Sequence, residues 1–252
     1  MIGLKGKRAL VTGGSRGIGA ATAELFAAYG VHVAVGYRNR RAEADALVES
    51  LRQRYGVTAI AHAADISTAA GASDLVDYAA SALGGLDFFI GSAGIWPCDD
   101  VAVHDMTDDQ WRRTMAENVD SVFYTTRAAV KRIGDGGRIV LVASTAGQRG
   151  EAYHADYAAS KGAMISYVKS LAPELGKRSI TVNSVAPGWV DTEMCAQPFS
   201  NGGRERIAAG IPIGRIAAPR DIAGPIVFLC SELARHVTGE ILNVNGGSVL
   251  CG

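Results

Sequence analysis

Tyr157 and Lys161 form the only Tyr-x-x-x-Lys in the chain, where about 0.2 such pairs are expected by chance. Residues four apart share one face of a helix, so the spacing sets the Lys161 ammonium near the Tyr157 phenol. A free phenol has a pKa of about 10, too high for efficient proton exchange at neutral pH, and an adjacent cation lowers it. The pair reads as an acid–base catalyst. Ser144 ends an apolar segment just before this helix, where its hydroxyl could hydrogen-bond a substrate carbonyl oxygen. The same residues could also form a helix surface pair beside an ordinary serine turn.

A second group of residues could hold phosphate. The apolar run Arg8-Ala-Leu-Val-Thr12 passes directly into Gly13-Gly14-Ser15-Arg16-Gly17-Ile18-Gly19 and then into a helical pattern. With 31 glycines in 252 residues the spacing alone is weak. Its context is specific: a glycine turn between strand and helix lets backbone N–H groups and a helix N-terminus meet a pyrophosphate. An acid at the end of the second strand would accept from a free ribose 2′-hydroxyl, but the chain reads Gly36-Tyr37-Arg38-Asn39-Arg40-Arg41 there. Guanidinium forks suit a phosphate, so Arg38 and Arg16 are expected to bind a 2′-phosphate and NADPH to be preferred over NADH. Arg40 and Arg41 fit a solvated helix start as well as the phosphate. Asp65, at the end of the third strand, could accept from an adenine amino group with Ile66 flanking the ring, or it could cap the next helix.

The elements that must position these residues are legible as an alternation. Valine- and isoleucine-rich runs at 8–12, 32–36, 58–63, 86–91, 138–143, 181–186 and 241–244 alternate with helical periodicity at 19–29, 41–55, 69–83, 108–133, 157–175 and 221–230. That is the pattern of an α/β fold with a parallel sheet covered on both faces. No linker or internal repeat interrupts it, so residues 1–252 are expected to form one domain. Residues 187–219 hold four of the seven prolines plus Gly202-Gly203, and read as an irregular, mobile lid over the crevice beyond the strand ends.

Composition excludes several classes. Lys plus Arg equal Asp plus Glu at 25 each, so there is no basic field for nucleic acid or an anionic membrane. The four cysteines (98, 195, 230, 251) form no CxxC and the five histidines no HxxxH, so no disulfide framework or metal site is expected and a reducing cytoplasm fits. The N-terminus reaches its glycines before a signal core could form, and no apolar run is long enough to span a membrane.

Together, Thr12-Gly13-x-x-x-Gly17-x-Gly19, Asn118, Ser144, Tyr157-x-x-x-Lys161, Asn183-x-x-x-Pro187-Gly188 and the C-terminal Val237–Gly247 segment resemble the short-chain dehydrogenase/reductase family over essentially the whole chain. The resemblance implies a single-domain Rossmann fold with a doubly wound, seven-stranded parallel sheet. It also implies that Tyr157 is the general acid/base, that Ser144 orients the carbonyl, that Lys161 lowers the Tyr157 pKa and holds the nicotinamide ribose, and that Asn118 supports a relay water. The implied cofactor contacts are Gly13, Ser15, Arg16, Gly17, Ile18, Gly19, Tyr37, Arg38, Asn39, Asp65, Ile66, Ser92, Ala93, Gly94, Tyr157, Lys161, Pro187, Gly188, Val190 and Thr192. A homotetramer is implied too.

One departure stands out: Gly91-Ser92-Ala93-Gly94 replaces the family's usual Asn-Asn-Ala-Gly. Weaker bracing of the neighbouring strands or looser cofactor binding is expected, with the chemistry intact. Within the family the chain most resembles the 3-oxoacyl-(acyl-carrier-protein) reductases, which implies reduction of a 3-oxoacyl thioester. That branch often carries a basic residue where Pro173 stands, against its acidic carrier protein; Lys131, Arg132, Lys177 and Arg178 could supply positive charge nearby. Another ketone, a sugar alcohol or a polyol is the alternative substrate, and a non-catalytic NADP-binding scaffold or redox sensor the alternative class. Substrate choice is expected to rest on Trp96, Gln148, Tyr153, His154, Trp189 and Met194, with His154 read as a surface histidine.

Overall fold

The computed structural model describes residues 2–250, so Met1, Cys251 and Gly252 lie outside it. Seven strands are β1 (Arg8–Thr12), β2 (His32–Tyr37), β3 (Ala59–Ala63), β4 (Leu86–Gly91), β5 (Ile133–Val142), β6 (Thr181–Pro187) and β7 (Ile241–Val244). They form one parallel sheet in the order β3-β2-β1-β4-β5-β6-β7. The strand order reverses between β1 and β4, which opens a crevice above their carboxyl ends.

The helices are α1 (Gly17–Ala28), α2 (Arg41–Tyr55), α3 (Ala69–Leu83), α4 (Asp108–Met115), α5 (Ser121–Val130), α6 (Ala146–Arg149), α7 (Ala155–Leu175), α8 (Gly203–Ala209) and α9 (Pro219–Cys230). Strand side chains alternate between two apolar layers. Ala9, Val11, Val33 and Val35 pack with Phe26 of α1, Leu51 of α2 and Ile226 of α9 on one face. Leu10, Phe89, Ile139 and Leu141 pack with Leu75 of α3, Ala129 of α5 and Val168 of α7 on the other. Both faces are therefore dry, as the near-continuous apolar strands require.

Three sequence expectations are corrected. The expected helix over 108–133 is interrupted by a π-helical turn, Ala116–Asp120, between α4 and α5. It ends at Val130, because Ile133 already pairs with Leu86. The register then jumps to Phe88 opposite Arg138, leaving Gly134–Gly137 as a bulge that hides the strand's start from a search for apolar runs. Residues 187–219 are not irregular throughout. They contain the 3-10 turn Glu193–Cys195, helix α8 and a parallel bridge between Val190 and Ala217.

Pro173 neither ends nor precedes the end of α7 by more than a turn, since the helix runs on to Leu175. Among the described residues, no helix is long and apolar enough to cross a membrane.

Candidate active site

The glycine turn leaves β1 and enters α1 at the switch point. Gly13 has φ +62°, and a Cβ there would stand 2.8 Å from the Ala93 backbone, so only glycine lets this turn lie against the exit of β4. Thr12 ties the two together: its Oγ1 accepts from the amides of Ser92 (3.1 Å) and Ala93 (3.2 Å). The turn forms one end of a cleft of about 820 Å³. Gly13, Ser15, Arg16, Gly17, Ile18, Gly19, Tyr37, Arg38, Asn39, Asp65, Ile66, Ser92, Ala93, Gly94 and Thr192 all line it. Pro187 and Val190 are instead buried, and Gly188 packs against Asn245. The backbone cradle, the open α1 N-terminus and the cleft's size fit a dinucleotide.

The catalytic candidates meet beyond the Gly94 end. Tyr157 lies in the first turn of α7, and the Ser144 hydroxyl just past β5 is placed to favour the ionised form of its phenol. Ser144 Oγ also accepts from the Ala146 amide at 3.1 Å, which fixes the hydroxyl's position. One turn further along α7, Lys161 Nζ donates to the Val142 carbonyl at 2.8 Å and stands 5.7 Å from the centre of the Tyr157 ring. Gly94 adjoins both Lys161 and Asn118: a Cβ on it would stand 2.9 Å from Asn118 Oδ1 and 3.6 Å from Lys161 Nζ.

The electrostatics differ from the expectation that Lys161 lowers the Tyr157 pKa. Burial pushes the phenol up to about 12, opposed by the Ser144 hydroxyl and reinforced by Cys195 and Glu151. Burial pushes the Lys161 ammonium down to about 8. Desolvation thus dominates the phenol's pKa, and Tyr157 is held as a neutral proton donor.

Asn118 sits on the π turn, fully buried. Its Oδ1 accepts from the Ile95 amide (2.8 Å), while Nδ2 donates to the Ile95 carbonyl (2.9 Å) and to Ser160 Oγ (3.0 Å). The side chain clamps the segment leaving β4 to α7. It lies on a π turn, a feature frequent at functional sites.

Asp156 was not singled out by the sequence reading. This buried carboxylate accepts from the Tyr157 amide (2.8 Å), Thr114 Oγ1 (2.7 Å) and Gln110 Nε2 (3.3 Å), joining α4 to the start of α7. An acid in the first turn of a helix was the available signal.

At Gly91, where weaker bracing is expected, the structure supplies another brace. Thr12 supplies bracing at the β4 exit, and a Cβ at Gly91 would stand 2.7 Å from Leu141 Cδ2 in the apolar layer under the sheet. Gly91→Asn is accordingly expected to lower stability by about 1–3 kcal/mol through overpacking. A thermal melt reads this as a fall in Tm, and a rise would show that the chain lacks the bracing an asparagine gives.

The rim also corrects the sequence reading. His154 is not at the surface: it is buried beside Trp96, at 5.1 Å between ring centres, with Nε2 3.3 Å from Asp100 Oδ1. Trp96 continues to Tyr157 (6.3 Å) and to Trp189 (5.7 Å), and Trp189 to Phe199 (5.8 Å), giving an aromatic wall next to the phenol. Gln148 is turned to Asn243 (2.7 Å), Tyr153 is exposed, and Met194 lines the cleft.

The arginines are not free either. Arg38 is hydrogen-bonded to Glu117 and lies 3.8 Å from Asp65, and Glu117 raises its pKa further. Asp65 itself accepts from the Ser67 hydroxyl (2.6 Å) and amide (3.1 Å), which lowers its pKa, and Thr68 caps α3 in its place. The basic residues near Pro173 lie at the far end of α7, about 27 Å along its axis from Tyr157. Two of them are paired there, Arg132 with Asp77 (2.8 Å) and Arg178 with Asp135 (2.9 Å).

The chain is similar to known proteins over nearly its whole length. A family model described as enoyl-(acyl carrier protein) reductase matches residues 13–248. An L-rhamnose 1-dehydrogenase (NAD(P)(+)) of Azotobacter vinelandii is 37% identical over 248 residues, covering 96% of each chain. A 3-oxoacyl-(acyl-carrier-protein) reductase of Aquifex aeolicus is 34% identical over 249 residues, covering 98% of each. The crystal structure of a short chain dehydrogenase from Burkholderia cenocepacia in complex with NADP superimposes with a TM-score of 0.91 at 38% identity, covering 97% of this chain and 98% of that one.

Proposed function

This chain belongs to the short-chain dehydrogenase/reductase family, and on that premise we propose that it interconverts a ketone and a secondary alcohol with NADP(H), using Tyr157 as general acid/base. The observation that carries this reading is the Lys161 ammonium, bonded to the Val142 carbonyl at 2.8 Å and 5.7 Å from the centre of the Tyr157 ring, with the Ser144 hydroxyl acting on the same phenol. When bound, the nicotinamide supplies the hydride that reaches the carbonyl carbon.

The chain's own residues do the rest. Ser144 donates to the carbonyl oxygen and polarises it. Tyr157, kept neutral by burial, gives that oxygen its proton as the negative charge develops. The resulting phenolate is stabilised by Lys161, held at its post by the Val142 carbonyl, and is reprotonated from solvent. Asn118 and Asp156 fix the two segments that carry these groups. Oxidation of an alcohol runs the same proton path in reverse.

The arginines lining the cleft support NADPH as the preferred partner, with the Arg38 and Arg16 forks turned from their carboxylates to the 2′-phosphate. Arg38→Ala is expected to lower kcat/KM with NADPH on the order of ten-fold or more, with NADH little affected. Equal losses with the two cofactors would overturn the assignment.

For the substrate we propose a 3-oxoacyl thioester, by likeness to the Aquifex reductase. A second reading, a sugar or polyol, is favoured by the aromatic wall of Trp96, Trp189 and Phe199, which can stack on the apolar face of a sugar ring, and by likeness to the rhamnose dehydrogenase. NADPH oxidation with an acetoacetyl thioester and a simple ketone, run beside NADP⁺ reduction with L-rhamnose, separates the two. Turnover with the thioester supports the first; turnover with the sugar alone moves the substrate to the second.

A further inference from the structure

Glu193 opens the 3-10 turn that follows β6. Its carboxylate reaches two guanidinium groups from remote parts of the chain. It is hydrogen-bonded to Arg16 of the glycine turn, and it accepts from Arg40, just before α2, at 3.2 Å. Arg40 is bonded in turn to Glu43 at 3.0 Å.

The turn that carries Glu193 is anchored. Asp191 N donates to the Ala217 carbonyl at 2.8 Å, and the Asp191 carboxylate takes two bonds from Arg204, at 2.5 and 3.0 Å. The Thr192 methyl lies 3.3 Å from where a Cβ on Gly17 would stand. Glu193 is thus held over the glycine turn by its own backbone rather than by the ion pairs alone.

A carboxylate and a phosphate monoester are bound by the same guanidinium fork. One carboxylate shared by Arg16 and Arg40 therefore stands where those two side chains would meet a phosphate. With Glu117 and Asp65 already facing Arg38, each of these three cations of the rim has a carboxylate partner.

We propose that Glu193 is a specificity-determining residue that competes with the cofactor's 2′-phosphate for Arg16 and Arg40 and so restrains the preference for NADPH over NADH. This rests on the assignment of the 2′-phosphate to the arginine rim. A doubly charged phosphate a few ångströms from a carboxylate near the water-exposed surface is disfavoured on the order of ten-fold. An unphosphorylated ribose carries no charge for the carboxylate to repel.

The test is calorimetric titration of wild type, Glu193→Gln and Arg38→Ala with adenosine 2′,5′-bisphosphate and with 5′-AMP. Glu193→Gln is expected to tighten the bisphosphate on the order of ten-fold, leave 5′-AMP unchanged, and lose that advantage at high salt, where a purely structural effect would persist. An unchanged or smaller ratio of the two affinities in Glu193→Gln overturns the proposal whatever ratio the wild type has. The cofactor assignment is read separately: it fails if wild type binds both ligands equally and Arg38→Ala changes neither. A rise of the ratio in Glu193→Gln from such a starting point would still establish the competition.

Discussion

Tyr157→Phe is expected to reduce carbonyl turnover by about 10²–10⁴-fold, the usual contribution of a positioned general acid, while NADPH binds as tightly as before. The substitution removes one oxygen and keeps the ring, so the contact with Trp96 survives. Tyr157, like Lys161 an expected cofactor contact, is not among the residues lining the dinucleotide cleft, which is why binding and rate separate. Steady-state rates beside a fluorescence titration with NADPH measure both quantities. Retained turnover would remove Tyr157 from the mechanism, and lost NADPH binding would assign it to the cofactor instead.

Lys161→Met is expected to have an effect of similar size, about 10²–10⁴-fold in rate, because the phenolate left after proton transfer then has no cation beside it. The Val142 carbonyl also loses its donor, so part of the change appears as a lower Tm, and the melt separates folding from chemistry. The wild-type pH profile carries the same information without a mutation.

Burial brings Lys161 down to about 8 and takes Tyr157 up to about 12. The ammonium is therefore charged below about pH 8 and lost above it, while the phenol stays protonated throughout that range. In the reduction direction kcat/KM is expected to be level below about pH 8 and to fall above it. A profile level well past that point would show that the Lys161 charge plays no part.

Much of the architecture can be read from the chain because both faces of the sheet are buried. Every strand must then be apolar and every crossover helical, and the alternation repeats without a break. β1, β4 and β7 fall where the apolar runs place them, and so do α2 and α3. What escapes that reading depends on single residues or on distant ones. The π turn at Ala116–Asp120 adds one residue to a helix whose composition does not change, and the bulge at 134–137 hides a strand behind glycines.

At the site, the turn glycines, Ser144, Tyr157 and Lys161 are legible because their spacing is local. The partners of the arginines are not. Arg38 meets Glu117 and Arg16 meets Glu193 only after the sheet has assembled, so a rim that reads as cationic along the chain is neutralised in space. His154 is hidden for a similar reason, since it is Trp96, from the segment after β4, that covers it.

In the proposed reaction, hydride passes directly to the carbonyl carbon and Tyr157 supplies the proton. The most direct measurement supplies NADPH deuterated at the nicotinamide C4, with the carbonyl substrate that turns over, and locates the label in the product by mass spectrometry and NMR. Deuterium on the carbinol carbon, with its rate of appearance collapsing in Tyr157→Phe, is the predicted result. Product without label, or label transfer undiminished in Tyr157→Phe, would contradict it.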